Sequence, residues 1–184
     1  MDVVKFGPVH GTLSVRTDVQ GRAAKMGHRL TMTFQDWDDS VTFDGPVPVA
    51  AQLRAALPSL EVLGGEGGVL PLTDADRVTI RRTALLAMKA DLHPCVLFES
   101  DRVRPTSHGY TLGGRLSVAG RDRAATAEVF VTGTGEAWQL TAQAQVVQSE
   151  YGIRPYSAFL GALQVQDRVQ VGLAVSLPRG AAAG

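Results

Sequence analysis

The stretch "EAWQLTAQAQVVQ", residues 136–148, decides how this chain is to be read. Every second residue gives Trp138, Leu140, Ala142, Ala144 and Val146 on one face, with Gln139, Thr141, Gln143 and Gln145 on the other. A two-residue period marks a half-buried β-strand. Interiors are close-packed and voids cost stability, yet the middle of this apolar face offers only methyl groups. Either bulk from an opposite wall fills the space, or a guest does.

Working outward, short alternating stretches recur. "GTLSV" at 11–15, "RLTMTF" at 29–34, "SVTFD" at 40–44 and "CVLFES" at 95–100 carry β-branched or aromatic residues between turn formers and read as strands. In "GYTLGGRLSVAGRDRAATAEVFVTG", Tyr110, Leu112, Leu116 and Val118 share a face before a turn at Gly120, and a second alternating run follows to Val131. Two contiguous antiparallel strands are expected there. "DRVQVGLAVSL" sets Val169, Val171, Leu173 and Val175 on one face as a closing strand, and the tail 178–184 is expected to fray. "VPVAAQLRAALPSLEV", 47–62, has helix-forming composition in its middle, but Pro58 interrupts any long helix and strand is preferred. The run "GGEGG" at 64–68 reads as a mobile loop, and "GTG" at 133–135 as a hairpin turn.

One segment breaks the alternation. Thr73 followed by Asp74, Ala75 and Asp76 is a helix start, with an N-cap and acidic residues where the helix dipole favours them. Leu85, Met88 and Leu92 then recur at three- and four-residue spacing, so an amphipathic helix is expected to about Leu92, before Pro94.

The totals limit the function. With 184 residues a single domain over 1–184 is expected. Eighteen basic side chains balance eighteen acidic ones, which gives no electrostatic case for nucleic acid. No apolar run approaches the roughly 18 residues of a spanning helix. The single Cys95 excludes an internal disulfide, and "MDVVKFGPVH" lacks the features of a secretory signal, so a cytoplasmic location is expected. Oligomeric state stays open, a homodimer included.

Many alternating strands, one helix and no βαβ rhythm predict an all-β fold, an antiparallel barrel of about eight strands. A barrel of that size is either filled by side chains or holds one small ligand. Ala142 and Ala144 on one strand, Gly114 on a second, and Ala125 and Ala127 on a third are small where a filled barrel needs bulk. An apolar cavity is the hypothesis; a solid barrel filled by Trp138 or Phe98, serving as a structural or interaction module, is the alternative.

"HPCVLFES", "YTLGGRLSVAGRDRAATAEVFV" and "SEYGIRPYSAFLGALQVQDRVQV" together resemble the YceI-like proteins. The positions that carry the resemblance are Pro94, Phe98, Ser100, Gly114, Leu116, Gly120, Tyr151, Gly152, Ile153, Val165, Asp167 and Val169, and the match is clearest over residues 78–176. The resemblance implies a lipocalin-like barrel whose tunnel holds an isoprenoid or other long-chain amphiphile; no cofactor is expected. "QGRAAKMGHRL" departs from the commoner members and marks a divergent subgroup. The residues expected to line the tunnel are Met32, Phe34, Phe98, Leu112, Leu116, Val129, Trp138, Leu140, Ala142, Ala144 and Phe159.

An enzyme on the same barrel needs convergent polar groups. His28 after Gly27 is the most suggestive histidine, although a strand-end histidine bonded to a loop explains it more simply. His10 and His108 sit in turns. Asp91, His93 and Cys95 offer zinc-type donors without a fourth ligand, and a solitary cysteine at a strand start is usually packing. The aromatic loop "GIRPYSAFLG" either gates one end of the barrel or plugs it, with Arg154 a candidate for a polar head group.

Overall fold

Alternation turns into strands almost everywhere it occurs, and the pairing of those strands closes a wall. The computed structural model describes residues 1–134 and 136–178. Its strands are β1 (Asp2–Phe6), β2 (Gly11–Arg16), β3 (Val19–Gln20), β4 (His28–Phe34), β5 (Trp37–Asp44), β6 (Val47–Ala56) and β7 (Leu60–Gly67). After helix α1 (Asp74–Ala87) come β8 (Cys95–Pro105), β9 (Gly109–Val118), β10 (Arg121–Thr134) and β11 (Ala137–Val147). The chain ends with β12 (Ser157–Ala158), β13 (Leu163–Val165) and β14 (Arg168–Pro178). The tail expected to fray lies, from 179 on, outside the described residues, as does Gly135 of the "GTG" turn.

Eleven strands pair in the order β1-β5-β6-β8-β9-β10-β11-β14-β2-β4-β7, and β12, β13 and β3 form a small second sheet. The fold is an all-β, curled antiparallel sheet with one helix, of lipocalin-like class. The strand count exceeds the expected eight or so because long strands bend. β4 runs into β5 through Gln35 and Asp36, and β6 into β7 through Leu57–Ser59. At this shared corner Gln35 N–H donates to the Ser59 carbonyl at 3.1 Å and Ala56 N–H to the Asp36 carbonyl at 2.9 Å. The pairs β4–β7 and β5–β6 are thus two arms of one bent ribbon. Because β2 pairs with the β4 arm and β8 with the β6 arm, that ribbon joins the two ends of the sheet into a ring.

Above the corner, β8 follows β6 and leaves one side of β7 without a strand. Helix α1 covers it. Arg81 Nε donates to the Leu60 carbonyl at 2.6 Å, Arg77 Nη1 to the Val62 carbonyl at 3.1 Å, and the same two guanidiniums reach the carbonyls of Pro58 and Leu63. The same face of α1, continued toward its C-terminus, brings Ile80, Ala84, Leu85 and Met88 onto the main core of Phe6, Leu13, Phe34, Trp37, Leu57, Leu60 and their neighbours. A capping box starts the helix: Thr73 Oγ1 accepts from Asp76 N–H at 3.2 Å, while Thr73 N–H donates to Asp76 Oδ2 at 2.8 Å.

Three expectations need correction. The helix stops at Ala87 rather than near Leu92, because Lys89 takes φ 53° and the N–H groups of Lys89 and Ala90 turn back to the carbonyls of Leu86 and Leu85. This is a Schellman ending with lysine where glycine is usual, and it leaves Leu92 70% exposed. The "GGEGG" run is not a free loop: Gly64 to Gly67 pair with Thr31 to His28. Gly65 is needed there because a Cβ would stand 2.7 Å from Leu72 and 2.9 Å from His28. The aromatic stretch 151–161, Tyr151 followed by "GIRPYSAFLG", splits in role, since Tyr151 and Ile153 are buried with Val118 and Ala119 in a second cluster whereas Phe159 and Leu160 face outward.

The core holds one misfit. Asp39 points inward with Trp37 and Val41 and lies opposite Phe6 and Leu53, and it is 9% exposed. Burial pushes its carboxyl up from 3.8 to about 7, with a smaller rise from Asp38 and an opposing donation from the Ser40 backbone. Between those two values the native state holds a proton that the unfolded chain has released, so stability falls as pH rises through this window. The loss attributable to Asp39 over the whole window is about 4 kcal/mol, at roughly 1.4 kcal/mol per unit, of which about 3 kcal/mol falls between pH 5 and pH 9. Urea unfolding at pH 5 and pH 9 should therefore show a drop in the wild type that Asp39→Asn largely removes; parallel profiles for the two proteins would refute the assignment.

Candidate functional site

The inward face of the ring is organised in rows by strand register. Leu53, Phe98 and Leu116 lie side by side on β6, β8 and β9, level with Asp39 on β5. One row further, Ala51, Ser100, Gly114 and Ala125 form a band of small residues across four strands. On the far side Ala142 lies opposite Leu173, and Ala144 opposite Val171. The space left between these walls is a cavity of about 240 Å³.

Its lining is mainly apolar. Leu13 and Val15 come from β2, Met32 and Phe34 from β4, Val96 and Phe98 from β8, Leu112 and Leu116 from β9, and Val171 and Leu173 from β14. Eight alanines stand among the rest, Ala51 and Ala55 on β6, Ala125 and Ala127 on β10, Ala142 and Ala144 on β11, and Ala84 and Ala87 on α1, and the uncharged polar side chains that border it are Thr17, Thr126, Gln143, Gln145 and Gln148. Each methyl group leaves room that a leucine would occupy. Gly114 is small for a second reason, because a Cβ there would sit 2.0 Å from the Glu99 carbonyl oxygen. The strands approach closely at this point beside a register shift between Ser100 and Arg102, where Ser100 Oγ donates to the Gly113 carbonyl at 3.0 Å.

Seven of the eleven residues expected to line a tunnel are brought together here: Met32, Phe34, Phe98, Leu112, Leu116, Ala142 and Ala144. Four are placed elsewhere. Leu140 packs on the main core, and Val129, beside Ala142 in register, lies outside the lining. Trp138 near the end of β11 is 40% exposed, and Phe159 is 60% exposed with φ 52°. Trp138 has the inward phase of β11 but stands near the strand end, and Phe159, expected as an aromatic of the covering loop, sits in a tight turn; neither place holds a ring inward.

Asp39 was missed, although "WDDSV" places it in phase with Trp37 and Val41. It lines the cavity, and its Oδ1 is the one buried side-chain oxygen or nitrogen among the described residues without a hydrogen-bond partner. Ala84, four residues before Met88, shares the apolar face of α1 that the sequence shows, but that this face borders the cavity depends on tertiary packing.

The residues considered for catalysis are dispersed. His28 opens β4, and its Nε2 lies 2.8 Å from the Leu70 carbonyl. His10 Nδ1 accepts from Gly7 N–H in its own turn, and His108 stacks on Phe130. Cys95 is exposed at the start of β8, with Arg54 Nη1 at 3.8 Å from its sulfur. Asp91, His93 and Cys95 do not converge: among the described residues no three His, Cys, Asp or Glu side chains are placed to share a metal ion. Arg154 is exposed. No helix among the described residues is long and apolar enough to cross a membrane.

Against known proteins, the barrel has clear counterparts. Burkholderia cenocepacia BcnA superposes with a TM-score of 0.67 at 16% identity, covering 91% of this chain and 96% of that one. The Campylobacter jejuni YceI protein superposes with a TM-score of 0.56 at 13% identity, covering 80% of this chain and 83% of that one. At these identities the likeness is one of fold. No functionally curated protein matches the sequence. The family model for the YceI-like domain matches residues 5–177, nearly the whole ring with its helix and closing strand, so the chain belongs to the YceI-like family.

Proposed function

We propose that the protein binds, and so carries or sequesters, an isoprenoid or other long-chain amphiphile inside the barrel, without covalent chemistry. The observation that supports this most is the alanine-lined cavity of about 240 Å³. Pockets that hold drug-sized molecules run from roughly 300 to 1,000 Å³, so this one takes a single small apolar guest at a time. Affinity would come from removing methylenes from water, about 0.8 kcal/mol for each. A lone cysteine fits a reducing cytoplasm, which is part of the same proposal.

Displacement of a neutral apolar fluorophore, N-phenyl-1-naphthylamine, by straight-chain alcohols tests the reading. Affinity should rise up to about fourfold per added methylene and then level off once the cavity is full. A series with no length dependence would argue against an interior site. Replacing Ala142 or Ala144 by Leu should abolish fluorophore uptake while circular dichroism stays unchanged, since the new side chain occupies existing space. Retained uptake in both variants would remove these positions from the lining. Organic extraction of the folded protein followed by mass spectrometry should recover a long-chain molecule; a recovered guest that is compact and polar would count against the proposal.

A further inference from the structure

Asp39 is the one buried carboxyl among the described residues, and it faces the cavity. The other buried polar side chains are satisfied: Gln35 Nε2 donates to Thr33 Oγ1 at 3.2 Å, and Ser100 Oγ donates to the Gly113 carbonyl. Asp39 Oδ1 has no partner. Native interiors leave few such atoms, and one that borders a cavity calls for a ligand or ordered water.

The neighbours make the need specific. Phe6 and Leu53 lie beside Asp39 in register, with Trp37 and Val41 two residues away on the same face, and the backbone of Ser40 is the donor the carboxyl has, which leaves Oδ1 unpartnered. No cation shares that face. Lys5 alternates to the outside of β1, and Arg54 is drawn outward by Asp38 at 2.6 Å and Asp36 at 3.1 Å.

We propose that Asp39 is the polar anchor of the cavity and that it selects a long-chain guest ending in an uncharged hydroxyl. This rests on the reading of the cavity as a lipid-binding site. A protonated carboxyl offers one donor and one acceptor, and burial favours that form. A hydroxyl answers both, whereas an ether answers only the donor. A phosphate would bring dianionic charge into a space with no cation, and an ammonium would require a buried ion pair whose desolvation is costly.

The test is the same fluorophore displacement at pH 6 with four ten-carbon probes: 1-decanol, 1-methoxydecane, decyl phosphate and decylamine. In the wild type, decanol should displace at about tenfold lower concentration than the ether, the size of effect one well-placed buried hydrogen bond gives. Asp39→Val should still take up the fluorophore but treat alcohol and ether alike to within about twofold. Equal affinities in the wild type, a preference that survives in Asp39→Val, or tighter binding of the phosphate or amine would each overturn the anchor. Should Asp39→Val fail to fold, carbon NMR of the labelled Asp39 carboxyl in the wild type decides: decanol, which engages both oxygens, must shift it further than the ether, which engages the O–H alone, and equal shifts or no shift with decanol overturn the proposal. Fluorophore uptake without head-group preference sinks the anchor alone; a fluorophore that never enters sinks the lipid-binding reading with it.

Discussion

The corner at which Gln35 and Asp36 bond to Ala56 and Ser59 is the constraint on which the rest depends. A curled sheet with two free ends would expose its concave face along the gap. Here the ribbon bends and offers one arm to β2 and the other to β8, so both ends of the sheet are held by the same two segments. Only once the ring is joined does an inward side chain become a wall element, and only then does its size decide between filled and hollow.

Given closure, volume is set by register. Antiparallel pairing places residues in level rows, so a small residue on one strand matters most when its row neighbours are small too. The band of Ala51, Ser100, Gly114 and Ala125 is such a row, while the adjacent row of Leu53, Phe98 and Leu116 supplies bulk. Ala142 and Ala144 face larger partners, Leu173 and Val171. The hollow therefore comes from several strands at once, and Ala84 and Ala87 of α1 extend it. Gly114 shows that a small residue also serves the backbone, because the Glu99 carbonyl occupies the place of its Cβ.

The period-two pattern made the strands legible, since it reflects the pleat itself: β2, β4, β5, β8, β9, β10, β11 and β14 all contain the stretches that alternate. What stayed hidden depends on tertiary contacts. The bend at Leu57–Ser59 falls inside 47–62, which reads as one strand, and pairing of Gly64–Gly67 comes from β4, not from local preference. The end of α1 was obscured because Lys89 adopts a conformation that sequence rules reserve for glycine. Much of the lining was visible as phase on a strand, whereas the outward turn of Phe159 and the burial of Asp39 were not: phase gives a direction, and depth depends on what stands opposite.

The side of β7 that lacks a strand partner has one more consequence. Unpaired strand edges template pairing with other chains, and proteins guard them with charge or cover. Arg77 and Arg81 do both, their guanidiniums taking the carbonyls of Leu60 and Val62 that an incoming strand would need. The helix thereby acts as a guard against self-assembly into fibrils as well as a piece of the wall, and the two arginines tie the colloidal behaviour of the protein to the folding of α1.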